Sequence, residues 1–143
     1  MLKTSIIILT IVLIFSALYS LGLIFTPQTF AANTFEARSG ETLETLQAPG
    51  AKETILAQTQ YIGVMAICLV IALFFILFTA FKNKETWAWW VFLIIWIIAW
   101  GYGVVSQLSE GDKLNSTLQI IGFILDGVGV LLPVKLFFAK QEG

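Results

Sequence analysis

Residues 118–134 read LQIIGFILDGVGVLLPV, a run that with its flanks is long and apolar enough to cross a bilayer, yet it carries one acid, Asp126, near its middle. A charge at bilayer depth costs about 2.5–3.5 kcal/mol on insertion scales, so such groups face a helix bundle or a water-filled cavity and find partners there. Gly122, Asp126, Gly129 and Pro133 fall at helical spacing on one face. Glycines at that spacing let another helix approach closely, and the backbone groups that a proline frees must be met by neighbours. The pattern predicts that this face is covered by protein.

The rest of the chain agrees with a membrane setting. Of its 143 residues 58% are hydrophobic and 12% are charged, about half the charge of an ordinary soluble domain. A hydrocarbon core about 30 Å thick needs about 20 apolar residues per helix. Four stretches meet that length, at about residues 5–25, 59–81, 87–107 and 116–137. The expected fold is therefore an all-α membrane protein, a bundle of four transmembrane helices in a single domain over residues 1–143. Residues 26–58 form its one sizeable loop, a cap at one mouth of the bundle.

Some chemistry is absent from the sequence. There is no His, the commonest metal ligand and proton shuttle, and the one Cys, Cys68, cannot form an internal disulfide or a thiol pair. No metal or cofactor is implied, and electron transfer through cysteine pairs or bis-His haem is excluded for this chain alone. A net charge of −1 gives no reason to invoke nucleic acid. The start, Met1-Leu2-Lys3 before an apolar run, resembles a signal peptide, but the uncharged stretch from Thr4 to Phe35 is far longer than an h-region. The first span is expected to be retained.

In that span Ser5, Val12, Ser16, Tyr19 and Ser20 share a side, and small or hydroxylated residues suit close helix contacts in lipid. They are expected to pack, with Ser16, Tyr19 or Ser20 as possible hydrogen-bond donors to Asp126. Thr26-Pro27 should start a short amphipathic helix in the cap, Thr26 as N-cap and Pro27 first in the helix, with Phe30 and Phe35 at the interface. Ala48-Pro49-Gly50 reads as a breaker. Thr59, Gly63 and Ala66 make a small-residue stripe on the second span, while Leu69 to Phe78 should largely face lipid. After the tight turn Phe81–Glu85, Trp87, Trp89 and Trp90 read as an interfacial belt. Trp96 and Trp100 lie deeper. They are either packing residues, an aromatic wall for an apolar ligand, or a cation cage with Asp126. Ser109–Lys113 should be a turn, and Ser116 to Gln119 fits a capping box for the last span.

Lys3, Lys82, Lys84, Lys135 and Lys140 fall on one side of the four spans, against Arg38, Lys52 and Lys113 on the other. By the positive-inside rule both termini are then cytoplasmic.

Taken whole, the chain resembles the small four-helix bacterial membrane proteins of the DoxX-like group. The resemblance rests on Gly22-Leu23-Ile24-Phe25-Thr26-Pro27-Gln28-Thr29-Phe30, a second span opening near Gly63, a short basic turn and an acidic Gly-Asp turn before the last span. Relatives often carry a charge where the second span begins, and here Gln58 and Gln60 stand instead. The resemblance implies a four-helix bundle in an accessory role beside membrane redox or transport machinery, and it assigns no catalytic residue. Three functions follow in order. The first is a non-enzymatic accessory or scaffold subunit of the bacterial inner membrane, with membrane lipids, other membrane subunits or a second copy as partners. The second is a binder of a quinone or lipid in a pocket built from Asp126, Trp96, Trp100 and Tyr102, with Tyr19 and Ser16 nearby. The third is a channel or transporter subunit using Asp126.

Overall fold

The computed structural model describes residues 1–110 and 113–138, and for 107–110 and 113–116 the backbone alone. The fold is all-α, as the composition predicts. Helix α1 runs Leu2–Phe25, α2 Pro27–Ser39, α3 Ala51–Ile76, α4 Thr86–Ile95, α5 Gly101–Glu110, α6 Lys113–Leu131 and α7 Val134–Phe138. Two π turns continue helices, Leu77–Phe81 after α3 and Trp96–Trp100 between α4 and α5. Among the described residues four segments are long and apolar enough to cross a membrane: Leu2–Phe25, Ala51–Phe81, Thr86–Ser106 and Thr117–Phe138. Helices are what lipid demands, because every backbone N–H and C=O must be satisfied within the segment. The chain is thus a multi-pass membrane protein by its architecture, and the expected spans match to within a few residues, with one exception.

That exception is α3, which begins at Ala51 instead of near Thr59. With its π turn the segment has 31 residues, about 46 Å of helix against a hydrocarbon core of about 30 Å. Roughly ten residues therefore project beyond the hydrocarbon. The polar start Ala51–Gln60 hid this extension, because apolar content marks the membrane and not the helix end.

Two compact units make up the chain, Met1–Ile14 with Ile71–Gly143, and Phe15–Val70. In the first, the interior of α6 is lined by Asp126, Gly127, Gly129 and Val130, with Pro133 fully buried just beyond it. Leu9, Leu73, Leu77, Ala88 and Phe92 are buried in the same unit. At one end Phe81, wholly buried, meets Phe92 at 5.2 Å and Phe137 at 4.8 Å between ring centroids. Trp87 and Trp90 are half exposed, as an interfacial belt requires. Trp89 is not: it is 6% exposed and belongs to the core. The alternation in Leu69–Phe78 also has a buried side, since Val70, Leu73 and Leu77 sit inward while Leu69, Ile71, Phe75 and Phe78 stay exposed.

Pro133 explains the break between α6 and α7. It has no N–H to give to the carbonyl of Gly129, four residues back. That carbonyl is met by the Ser5 hydroxyl of α1. One residue on, the Val130 carbonyl accepts the indole N–H of Trp89 at 2.9 Å, and Thr86 Oγ1 donates to the Phe137 carbonyl at 3.2 Å. Side chains of two neighbouring helices thus satisfy the backbone around the proline break. The last span also starts earlier than its expected capping box. Helix α6 is already running at Lys113, and Gln119 lies over Gly103 of α5, where an added Cβ would sit 2.9 Å from Gln119 Oε1. Of the expected turn Ser109–Lys113, α5 takes residues to Glu110, while Gly111 and Asp112 lie outside the described residues.

In the second unit α2 folds back after Thr26-Pro27. Thr26 does not cap it by its side chain: Thr26 Oγ1 donates to the Gly22 carbonyl at 2.8 Å, closing α1 instead. Gly40, at φ 72, ends α2 with a left-handed residue whose N–H returns to the Glu36 carbonyl at 2.9 Å. Phe30 lies on Gly22 and packs edge-to-face on Tyr19 at 5.2 Å. Leu43, 2% exposed, anchors the chain between α2 and α3, and Lys52 Nζ reaches Glu44 at 2.6 Å. Gly63 does what its place in the small-residue stripe predicts. A Cβ there would lie 2.9 Å from the Ser20 carbonyl of α1, so the two backbones are in contact.

Candidate functional site

Asp126 is 6% exposed, inside the face that its spacing defines. Its helical neighbours do not all meet the same helix. Gly129 is covered by α1, where an added Cβ would sit 2.7 Å from Leu9 Cδ2. Gly122 is covered by the Trp100 ring, which a methyl group there would overlap, and Gly127 by the Trp96 ring, 2.5 Å from an added Cβ at Cζ2. The glycines thus form notches toward two neighbours, and Asp126 lies between them. By helical rise, three residues back from Gly129 along α6 corresponds to three residues along the facing stretch of α1. Apolar residues occupy that stretch, with Leu9, Val12 and Leu13 all at or below 5% exposure. Among the described residues of this unit no donor makes a hydrogen bond or ion pair with the Asp126 carboxyl.

The two deeper tryptophans are committed to α6. Trp96 stacks on Phe123 at 5.0 Å with 28° between the rings, and its Nε1 donates to the Phe123 carbonyl at 2.8 Å. Both belong to the π turn Trp96–Trp100, which winds the chain wider and re-aims the side chains at its ends. Sequence spacing cannot show such a turn, but it does show the four-residue interval that the turn uses. Tyr102, expected beside them, is 75% exposed on α5. The structure therefore gathers Trp96, Trp100 and Asp126 around α6 and leaves Tyr102 on the surface.

Ser16 and Tyr19 belong to the second unit. Ser20, 2% exposed, donates its hydroxyl to the Ser16 carbonyl at 2.7 Å within α1. Tyr19 borders a cleft of about 350 Å³ between α2 and the adjoining turns of α1 and α3. Leu23, Phe30, Phe35, Ile55 and Ile62 supply apolar walls. Arg38 is the one charged residue in the lining, with Thr34 and Thr59 as further polar groups. Sequence reasoning assigned Phe30 and Phe35 to the interface and missed the cleft. The signal was there: residues 31, 34, 35 and 38 recur at helical spacing, putting Arg38 on the face of α2 that turns inward.

Nothing among the described residues groups three or more His, Cys, Asp or Glu side chains as a metal site. Cys68 is a free, exposed thiol. No family model, no curated protein and no solved structure matches the chain.

Proposed function

We propose that this chain is a non-enzymatic accessory or scaffold subunit of a larger complex in the bacterial inner membrane, with both termini in the cytoplasm. One observation carries the reading. The indole, hydroxyl and ring groups packed on the last span around Asp126 are spent on holding helices together. Trp89 and Trp96 donate to carbonyls of α6, Ser5 to that of Gly129, and the rings of Trp96 and Trp100 fill glycine notches. Phe15, Phe25, Phe75, Ile98 and Val105, each at least 65% exposed, meanwhile offer broad apolar flanks for lipid or for another subunit. The lysine bias supports the orientation, and membership of the DoxX-like group belongs with the same reading.

Site-specific photocross-linking in native membranes tests it. A photoreactive residue at Phe75 or Ile98 should give a discrete adduct with another membrane protein or with a second copy. Migration of the solubilised chain as a lone protomer, with lipid adducts alone at both positions, would refute it.

A further inference from the structure

We infer that the cleft beneath α2 is a binding site for an anionic phospholipid, its phosphate held by Arg38 and part of one acyl chain lying along Leu23, Phe30 and Ile62. This goes beyond the scaffold reading and does not depend on it.

Shape and position point to an amphiphile. The lining is mostly apolar, with the Arg38 guanidinium as its one charge. Tyr19 stands six residues inside the Phe25 end of α1, about 9 Å along the axis. Since roughly ten residues of α3 project beyond the hydrocarbon, Ile55 and Thr59 fall in the headgroup layer and Ile62 at the hydrocarbon edge. The cleft therefore runs from the headgroups into the acyl region, the path that a phospholipid already follows.

Charge chooses among amphiphiles. Arg38 is the only charged residue in the lining, and its charge is positive. A guanidinium carries five N–H donors in a planar fork that fits phosphate oxygens in pairs, so a protein contact on Arg38 leaves donors for a ligand. Volume sets the extent. At about 350 Å³ the cleft is near the lower end of the range of roughly 300–1,000 Å³ for ligand pockets. It takes a segment of one chain, and the remainder stays in the bilayer.

The test uses the full chain in nanodiscs of equimolar phosphatidylglycerol and phosphatidylcholine, released for native mass spectrometry. The wild-type chain should retain phosphatidylglycerol in excess. Arg38→Gln should lower that excess by about tenfold, the loss expected for one charge-assisted contact. Lys52→Gln, removing the cation that pairs with Glu44, should leave the excess in place. Thr34→Trp fills the cleft and should lose adducts of both lipids with helicity by circular dichroism unchanged. If that variant does not fold, the wild-type preference and its loss in Arg38→Gln decide alone. Equal retention of the two lipids, an unchanged preference in Arg38→Gln, or a free fatty acid carried in place of phospholipid would each overturn the assignment.

Discussion

The proline break in the last span yields a prediction that can be worked through. Pro133 leaves the Gly129 carbonyl without its intrahelical donor, and Ser5 replaces it from α1. Ser5 is wholly buried, so Ser5→Ala leaves a carbonyl in an apolar interior with nothing to accept from. Stranding a buried acceptor costs about 1–3 kcal/mol in proteins generally, while hydrogen bonds between membrane helices average about 0.6 and reach about 1.7. About 1–1.5 kcal/mol is the value expected here, the upper part of the membrane range, because the acceptor has no other partner. Pro133→Ala then supplies the test. It restores a backbone N–H four residues beyond Gly129, so in that background the Ser5 hydroxyl is redundant and Ser5→Ala should cost about 0.5 kcal/mol or less. The coupling of about 1 kcal/mol exceeds the scatter of about 0.3–0.5 seen for independent sites. Reversible unfolding in mixed micelles, followed by tryptophan fluorescence, measures all four variants. An equal cost of Ser5→Ala with and without the proline would show that the hydroxyl does not answer the proline break, and the account of α6 would fall.

Further predictions concern the notches, the acid and the cap. Gly127→Ala places a methyl group on the Trp96 ring, and should cost about 1–3 kcal/mol by overpacking and raise the exposure of Trp96 to a collisional quencher; no change in either would remove the notch. Asp126→Leu, an apolar replacement where no donor of the unit serves the carboxyl, should leave the chain as stable or stabilise it by up to about 3 kcal/mol. A loss of more than about 1 kcal/mol in the same unfolding assay would mean that the acid is held by a hydrogen bond. In the cap, Leu43→Ala should cost about 2–3 kcal/mol because its side chain is buried. Glu44→Gln should cost under about 0.5 despite the 2.6 Å contact with Lys52, since Glu44 is 66% exposed. Proteolysis between α2 and α3 gives the order of these two effects, and the reverse order would refute it.

What the sequence disclosed depended on which force set each feature. Span number and place follow from hydrocarbon thickness, which acts on composition, and Ser5–Phe25 and Trp87–Gln107 are legible for that reason. The buried face of α6 follows from glycine spacing around Asp126. The start of α3 was not legible, because apolar content marks the membrane while a helix can continue into water through the polar turns Ala51–Gln60. Trp89 was read with Trp87 and Trp90 since all three stand at the span's end. Only the proline four residues beyond Gly129, and the carbonyls it exposes one turn away, give Trp89 a reason to turn inward. Tyr102 shows the opposite case: it stands only two residues beyond Trp100, and at about 100° per residue that spacing turns it to the other side of the helix.

Glycine, tryptophan and proline in the last two spans answer one physical problem. Lipid is as apolar as leucine, so helices gain nothing there by burying leucine against leucine, and close approach with hydrogen bonding must hold them. Close approach is what Gly122, Gly127 and Gly129 provide. It brings an indole near enough for its N–H to reach a backbone carbonyl, as Trp96 does at Phe123 and Trp89 at Val130. Pro133 increases the return on that approach, because it releases a carbonyl that has no intrahelical donor and that Ser5 can take. The three devices depend on one another. Enlarging a glycine should therefore weaken the hydrogen bonds made beside it, and Gly129→Ala should abolish most of the coupling between Ser5 and Pro133. A coupling that survives Gly129→Ala intact would separate packing from hydrogen bonding and leave the glycines as bystanders.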